Sequence, residues 1–313
     1  MTIKEFNELQ RASYKSLDTE EWLDIYFTRP IGLAFALLWR KLGVTPNMVT
    51  ITSFFLGAGA GWMFYHTDLC SNICGVILLM FANFCDSTDG QLARLTNQKS
   101  LIGRMLDGVA SDVWFFACYL AIALRLMPET IPGTEYQWGV WSIVLCSVAG
   151  FWAHATQCRL SDYYRQIHLY YLLGKEGSEL DRSDTQQAVY EEHKRNKNIV
   201  GILFFSNYTK YCRAQEAMTP AYQQLHKVLH DKYGTVDNIP QDIRDEIRRN
   251  SLPLMKYTNI LTHNCRAIML FIGCLANIPW IYPLFEITVM FGIYTYMHRT
   301  HESFCKKLAK KYE

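Results

Sequence analysis

Three aspartates in an apolar part of the chain are the residues best suited to chemistry. Asp86 and Asp89 are three residues apart, a spacing that places both side chains on one face of a helix. Asp107 follows about one helical hairpin later, so it can meet them from the facing helix. Converging carboxylates form the hard oxygen site that Mg²⁺ or Mn²⁺ prefers. We therefore predict a metal site formed by Asp86, Asp89 and Asp107.

Small and basic residues surround these aspartates. Gly90 has no side chain and would let a ligand approach the backbone beside the metal. Arg94, one turn further along, has the charge to contact a phosphate. The alternative is that the aspartates only form ion pairs with Arg94 and Arg104. Carboxylates in membrane helices are costly and are usually functional, so the clustering favours the metal site.

The elements that must position these residues are membrane helices. The chain has 313 residues, a formal charge of +2 and 50% hydrophobic residues, but its charges are concentrated in 165–252, which holds 13 Lys/Arg and 12 Asp/Glu. Since about 20 helical residues cross a bilayer core, we predict six spans, at roughly 47–66, 73–93, 105–127, 137–159, 256–278 and 282–299. The expected fold is therefore an all-α polytopic membrane protein. Disordered, collagen-like and disulfide-stapled secreted classes are excluded, and so small a basic excess argues against a nucleic-acid partner.

Positive charge alternates between the segments that join these spans. Lys and Arg number six in 1–46, three in 94–104, thirteen in 165–252 and five in 299–313. The intervening loops near 67–72, 128–136 and 279–281 contain none. Because cytoplasmic loops carry the excess of Lys and Arg, we expect the site and both termini to face the cytoplasm.

This organisation divides the chain into four segments. They are a cytoplasmic N-terminal segment at 1–46, transmembrane helices 1–4 at 47–164, a cytoplasmic helical insertion at 165–252, and transmembrane helices 5–6 with a basic tail at 253–313. The mixed apolar and basic stretch 31–42 is typical of an amphipathic helix in the headgroup plane. Within the insertion, Thr219-Pro220 predicts a helix start before 221–232, and 240–250 is a second helix candidate. The first 20 residues lack an apolar core, so we expect no cleavable signal peptide.

The motif around the aspartates supports a family assignment. The pattern D-x-x-D-G-x-x-A-R, eight residues, then G-x-x-x-D resembles the signature of the CDP-alcohol phosphotransferase family. The resemblance covers about residues 30–165 well and the last two spans by topology only. It implies metal-dependent transfer of a phospho-alcohol group from a CDP-linked donor to an acceptor hydroxyl, with release of CMP. It also implies a homodimer.

The resemblance assigns roles to individual residues. Asp86, Asp89 and Asp107 would be metal ligands. The CDP pocket would be lined by Asp89, Gly90, Ala93 and Arg94, with Asn47 at the entry to the first span.

One position departs from the family pattern, which ends in G-x-x-x-D-x-x-x-D and takes the last aspartate as a metal ligand and catalytic base. The position four residues after Asp107 is Ser111, and the nearby carboxylate is Asp112. On a regular helix Asp112 points about 140° away from Asp107. We predict a π-bulge near 108–112 that brings Asp112 onto the Asp107 face as ligand and base. The alternative is that Asp112 is structural and Ser111 or water fills this position.

The acceptor alcohol is indicated by two features. Arg159 and Lys256 lie at span ends and could bind the phosphate of an acceptor. Arg266 lies several turns inside the fifth span, where it could bind a phosphate of the acceptor or donor or instead pair with an intramembrane acid such as Asp86 or Asp107. The run Ala93–Gln98 is most similar to the phosphatidylinositol and phosphatidylinositol-phosphate synthase branch of the family. We therefore expect a CDP-linked lipid donor and a polar alcohol acceptor, with inositol or inositol phosphate as the best candidate. The reverse arrangement, CDP-choline or CDP-ethanolamine with a lipid alcohol, is the alternative.

Three other classes of protein share part of this pattern. A prenyltransferase also uses metal-bound aspartates in membrane helices but lacks the D-G-x-x-A-R element. A divalent-cation transporter would place its carboxylates at mid-membrane and release no CMP. A non-catalytic family member, retaining the metal site without the base, is made plausible by Ser111.

Overall fold

The computed structural model describes residues 6, 8–10, 16–98 and 100–313, and the regular elements among these residues are all helical. The α-helices are α1 Arg29–Lys41, α2 Pro46–Tyr65, α3 Leu69–Thr96, α4 Leu101–Leu126, α5 Val140–Ser147, α6 Ala155–Leu173, α7 Ser183–Arg195, α8 Ile199–Met218, α9 Pro220–Tyr233, α10 Gln241–Ile260, α11 His263–Leu275, α12 Ile281–Phe285 and α13 Phe291–Tyr312. Three π-helical segments lie at Asp24–Thr28, Val148–His154 and Glu286–Met290, and a 3₁₀ turn lies at Val236–Asn238. The predicted all-α class is confirmed. Predictions that rest on residues 1–5, 7, 11–15 and 99, including most of the segment used to argue against a signal peptide, fall outside the described residues.

Three helices among the described residues are long and apolar enough to cross a membrane: α2, α3 and α4. They contain most of the first three predicted spans. Each of the other predicted spans is divided among shorter segments. The fourth and sixth include the π-helical residues Val148–His154 and Glu286–Met290, and the fifth is divided where α10 ends and α11 begins. The count of six spans stays a prediction.

The chain forms two compact units that do not follow the order of the sequence. The first contains Glu20–Ala155 and His263–Val289, and the second contains Thr156–Thr262, Met290–Glu313 and the short stretch 16–19. This division groups residues by contact, whereas the four predicted segments group them by topology, so it does not test those segments.

Local sequence signals set the ends of the helices that carry the motif. Pro46 is the first residue of α2, and the Thr45 side chain caps the helix by accepting a hydrogen bond from the backbone of its first turn. Ser100 caps α4 in the same way, accepting from the Gly103 N–H at 2.9 Å. Asn97 ends α3 with a left-handed backbone, at φ 54°. The turn between α3 and α4 is therefore short, as the hairpin prediction requires.

Glycines allow α2 and α4 to pack closely in the first unit. Gly57 and Gly61 are four residues apart on one face of α2. A Cβ at Gly57 would overlap the ring of Trp114, and one at Gly61 would lie 2.8 Å from the backbone of Ala117. Small residues at such a contact let membrane helices approach each other. The contact holds α4, and with it Asp107, against the helix that precedes α3.

The second unit contains the whole of the predicted insertion 165–252, and its regular elements are helical. The predicted helix 221–232 falls within α9, and 240–250 matches the first half of α10, which begins one residue later at Gln241. Asp18 accepts hydrogen bonds from Arg248 at 2.7 and 2.9 Å and lies 3.2 Å from Nε2 of His168. Burial raises the pKa of Asp18, but these two partners outweigh it and hold the pKa below its usual value. Burial lowers the pKa of His168.

Candidate active site

The three predicted ligand aspartates converge in the first unit. Asp86, Asp89 and Asp107 each offer a carboxylate oxygen, and these atoms lie within 4.8 Å of one another. Asp89 is buried, Asp86 is partly buried and Asp107 is exposed. The cluster is therefore closed on the α3 side and open on the α4 side, which leaves an approach for a ligand.

A threonine of α2 fixes the orientation of the buried member. The Thr50 hydroxyl, 2% exposed, donates a short hydrogen bond to Oδ2 of Asp89. Its other neighbour is the carbonyl of Pro46 at 3.2 Å, so the single hydroxyl proton has a closer acceptor in the carboxylate. A hydrogen bond of this kind sets the direction in which a ligating carboxylate presents its free oxygen.

The residues assigned to the CDP pocket lie around this cluster. A Cβ at Gly90 would lie 3.7 Å from Nη1 of Arg94, so the guanidinium runs alongside the bare backbone of Gly90. A Cβ at Gly103 would lie 2.9 Å from Oδ1 of Asn47, which places the Asn47 side chain against the first turn of α4. Ala93 is partly buried on α3, one residue before Arg94. A cation and an uncovered backbone beside three carboxylates can hold a metal-bound phosphate group.

The amphipathic helix α1 packs against the same stretch of α3. Gln91 Nε2 donates to the Arg29 carbonyl at 3.2 Å. The Thr88 hydroxyl lies 3.3 Å from the Gly32 carbonyl, but its proton goes to the closer Phe84 carbonyl of α3, at 2.6 Å. A Cβ at Gly32 would lie 2.8 Å from Oγ of Ser87, so the two helices meet at close range. Ser87 and Gln91 lie among the motif residues of α3, so these contacts hold α1 against the helix that carries Asp86 and Asp89.

The predicted π-bulge at 108–112 is wrong. α4 is a continuous α-helix from Leu101 to Leu126, with hydrogen bonds that keep 3.6 residues per turn. Asp112 is therefore turned about 140° from Asp107 and is absent from the carboxylate group. It is exposed and lines a separate apolar cavity of about 420 Å³, together with Tyr119 and His154. Ser111, partly buried, keeps the position one turn after Asp107.

Arg266 has a partner that the sequence analysis did not name. Its side chain is fully buried, and Nη1 lies 2.6 Å from Oε1 of Glu286, also fully buried. Tyr119 donates a short hydrogen bond to the other oxygen of Glu286, and His154 Nδ1 lies 3.6 Å from Oε1. The alternative of structural pairing with an intramembrane acid is therefore confirmed, but the acid is Glu286 and not Asp86 or Asp107. Because the guanidinium is fully buried and paired in this network, a role in acceptor binding loses its support.

The other two predicted acceptor residues belong to the second unit. The Arg159 guanidinium lies over the ring of Tyr211, 5.6 Å from its centroid. Lys256 is exposed on α10, with its ammonium 4.9 Å from the ring centroid of Tyr257. Their role toward an acceptor stays a prediction.

Two residues important to this arrangement were missed by the sequence analysis. Glu286 lies inside the sixth predicted span, where a carboxylate needs a partner, and Arg266 in the fifth span is a cation with the same need. The sequence therefore carries a signal for this pair. Thr50 carried no comparable signal, because a threonine in an apolar helix usually bonds only to its own backbone.

The donor set fits a divalent cation. All three ligand atoms are carboxylate oxygens, with no sulfur or imidazole among them, and this is the chemistry that Mg²⁺ and Mn²⁺ select. The spacing of the three oxygens within 4.8 Å allows them to share a bound ion.

Comparison with known proteins finds a family model that matches the same residues. Residues 43–167 match the family model described as CDP-alcohol phosphatidyltransferase. The chain is also similar to the archaetidylinositol phosphate synthase of Pyrococcus horikoshii, with 30% identity over 119 residues. That alignment covers 38% of this chain and 56% of the curated relative, so the chain spans little more than half the length of the relative. No solved structure matches the chain.

The matched region begins just before the α2 cap and ends within α6, so it includes all three aspartates, Thr50 and Arg94. The sequence motif, the convergence of its carboxylates and this match agree with one another. Residues 43–167 thus match the CDP-alcohol phosphatidyltransferase family model over the stretch that carries the whole motif.

Proposed function

We propose that this protein is a membrane enzyme that transfers a phospho-lipid group from a CDP-linked lipid to a polar alcohol and releases CMP. The observation that carries the proposal is the meeting of Asp86, Asp89 and Asp107 within 4.8 Å beside Arg94. A divalent cation held by these carboxylates, together with Arg94, would neutralise the diphosphate that the donor presents. A site near the end of a membrane helix suits a reaction between a lipid and a water-soluble partner.

The chain's residues divide the work as follows. Asp86, Asp89 and Asp107 would hold Mg²⁺ or Mn²⁺, which supplies charge neutralisation at the diphosphate when bound. Arg94 and the bare backbone at Gly90 would position the phosphate nearer the nucleotide. The acceptor oxygen forms a bond to the lipid-linked phosphorus, the bond from that phosphorus to the CMP oxygen breaks, and CMP leaves with the electron pair. The hydroxyl proton goes to Asp107, the exposed carboxylate of the cluster, or through it to water.

The proposed acceptor is inositol phosphate or a related polyol phosphate. Support comes from the Ala93–Gln98 run and from the relative named archaetidylinositol phosphate synthase. We further propose that the site and both termini face the cytoplasm and that the enzyme is a homodimer.

CMP release by purified protein in detergent tests the proposal. The protein would receive CDP-diacylglycerol and Mg²⁺ or Mn²⁺, with inositol, inositol phosphate, glycerol phosphate and serine supplied one at a time. We expect CMP with inositol phosphate, lost in Asp107→Asn and kept in Asp231→Asn, an exposed aspartate of the second unit. CMP with none of these acceptors, but with CDP-choline or CDP-ethanolamine and diacylglycerol, would reverse the assignment of donor and acceptor.

A non-catalytic family member is the second candidate, and one observation favours it. The position one turn after Asp107 is Ser111, and Asp112 lies on another face of α4. Under this reading the protein binds Mn²⁺ and CDP-diacylglycerol but releases no CMP with any acceptor. Equilibrium binding of Mn²⁺, measured with the same preparation, separates a silent enzyme from a misfolded one.

A further inference from the structure

The first turn of α8, in the second unit, carries apolar side chains that face outward. Ile199 is 71% exposed, Leu203 is 59% exposed and Val200 is 40% exposed. The opposite face of the helix is buried against α7, where Phe205 stacks on His193 with 5.0 Å between ring centroids. The packing between α7 and α8 therefore does not use the outward-facing side chains. Exposed apolar groups gathered at one place indicate an interaction surface.

Three cations lie beside these side chains. Lys194 and Arg195 end α7 and Lys197 lies in the turn, all of them exposed. Lys197 has φ 53°, and Asn198 caps α8 by accepting from the Gly201 N–H at 3.2 Å. The turn is consequently a defined structure. We call residues 194–203 the basic apolar tip.

The other end of α8 lies against the end of a predicted membrane span. Gln215 donates to the carbonyl of Arg159 at 3.2 Å, and the Arg159 guanidinium covers the Tyr211 ring. Residue 159 is the last of the fourth predicted span. α8 has 20 residues and so a length of about 30 Å. It runs from the basic apolar tip to the turn that holds Gln215.

Aromatic rings follow one side of this helix. Phe204 stacks on Tyr208 with 5.3 Å between centroids, and Tyr208 stacks on Tyr211 with 6.2 Å. Tyrosine is enriched at the membrane interface, where its ring meets acyl chains and its hydroxyl meets water. These three rings are partly buried, and the Tyr208 hydroxyl donates to Asp181 at 2.8 Å, so the row stiffens α8 rather than extending the exposed tip.

We propose that the basic apolar tip is a membrane-surface anchor, with Ile199, Val200 and Leu203 inserted among the lipids of the cytoplasmic leaflet. Lys194, Arg195 and Lys197 contact the phosphates of anionic headgroups. A second copy of the chain is a poorer occupant, because a two-fold contact at this tip would bring the same three cations together. The anchor would hold the insertion at the surface where a lipid substrate is met.

Site-directed photocrosslinking of the full-length protein tests the anchor. Benzoylphenylalanine is placed at Leu203 or, as the matched control, at Ala188, an exposed position on α7. Both variants are reconstituted into vesicles of phosphatidylcholine alone or with phosphatidylglycerol in a two-to-one ratio, and lipid adducts are counted by mass spectrometry. We expect several-fold more lipid adduct at position 203 than at position 188, with a further increase when phosphatidylglycerol is present.

Charge variants in the position-203 background test the electrostatic part. Replacing Lys194, Arg195 and Lys197 by Gln should remove the increase due to phosphatidylglycerol, whereas Glu191→Gln with Glu192→Gln, on the preceding turn of α7, should not. Equal adduct at positions 203 and 188, or crosslinks from position 203 to a second copy of the chain, would overturn the proposal. None of these readouts depends on turnover, so a failed anchor leaves the proposed reaction standing and the reverse also holds.

Discussion

At the residue scale, the hydrogen bond from Thr50 holds Asp89 in one orientation, as a metal ligand requires. The buried Asp89 carboxylate has its Oδ2 held by the Thr50 hydroxyl, so its orientation within the cluster is fixed. Residues that orient a ligand in this way commonly change metal affinity by about 10- to 100-fold when they are removed. Thr50 is thus a positioning residue for the proposed metal site.

Thr50→Val should weaken Mn²⁺ binding by about tenfold, because the isosteric side chain keeps the packing but cannot donate to Asp89. Thr50→Ser keeps the hydroxyl and should restore most of the affinity. Electron paramagnetic resonance titration of free Mn²⁺ measures this without turnover. If Thr50→Val matched the wild type while Asp89→Asn lost binding, the hydrogen bond would have no role in holding the metal.

The placement of Asp112 leads to a second residue-scale prediction. Since Asp112 lies with Tyr119 and His154 around another cavity, Asp112→Asn should keep turnover within about threefold of the wild type, as a side chain that makes no transition-state contact would. Asp107→Asn should lose it. Rates of CMP release under saturating metal make the comparison, and a loss in Asp112→Asn equal to that in Asp107→Asn would return the base to Asp112.

At the element scale, the contact between α2 and α4 determines whether Asp107 reaches the pair on α3. The stretch Gly57-Ala-Gly-Ala-Gly61 presents small residues on more than one face, but only some of them meet another helix. Gly57 faces the Trp114 ring, whereas a Cβ at Gly59 would lie in ordinary contact, 3.6 Å from Leu78. The Trp114 ring therefore leaves no room for a side chain at Gly57, whereas a methyl group fits at Gly59.

Gly57→Ala should destabilise the protein by about 1–3 kcal/mol, because the added methyl group overpacks the contact with Trp114. Gly59→Ala is the matched control in the same helix and should be neutral or slightly stabilising, since alanine favours the helix more than glycine does. Thermal unfolding in detergent, followed by the loss of helical circular dichroism, compares them. Equal effects would mean that α2 and α4 do not meet at Gly57.

The buried pair of Arg266 and Glu286 has a similar role elsewhere in the first unit. It joins α11 to the π-helical segment that begins at Glu286, and Tyr119 of α4 completes it. A buried ion pair contributes little net stability compared with a well-packed apolar pair, but removal of one partner is costly. The network thus specifies how these elements fit rather than simply strengthening their contact.

At the scale of the whole molecule, orientation in the membrane is the main open prediction. The loop near 67–72 contains no Lys or Arg and is expected on the side opposite the cytoplasm. Cys70, at the start of α3, is exposed, as is Cys74 one turn later, whereas most other cysteines are buried. These two residues report on the side of the membrane that the loop faces.

A membrane-impermeant maleimide applied to intact cells should label the protein, and Cys70→Ser with Cys74→Ser should abolish that labelling. The expected result follows from the alternation of positive charge along the chain. If labelling required permeabilised cells, the loop would face the cytoplasm and the carboxylate cluster would face the other side, the reverse of the proposed orientation. The same test then also rejects an anchor in the cytoplasmic leaflet.

Much of the site could be predicted because it depends on short-range geometry. The three-residue spacing of Asp86 and Asp89 places both on one helix face in any regular helix, and the short α3–α4 turn brings Asp107 back to them. The prediction for Asp112 failed because it assumed that family-like spacing would be restored by a local bulge. The hydrogen bonding of α4 stayed regular, and π-helical segments lie at Val148–His154 and Glu286–Met290 instead.

The amino-acid sequence by itself determined the helical class, the strongly apolar spans and the placement of Asp86 and Asp89 on one helix face. Each of these follows from helix periodicity or from the cost of polar groups in lipid. Only the tertiary structure decided that Thr50 bonds to Asp89, that Arg266 pairs with Glu286 and that Asp112 leaves the cluster. These facts depend on which helix faces meet and how each helix is rotated. Thr50 and Asp89 are 39 residues apart and lie on different helices, so no local pattern encodes their contact.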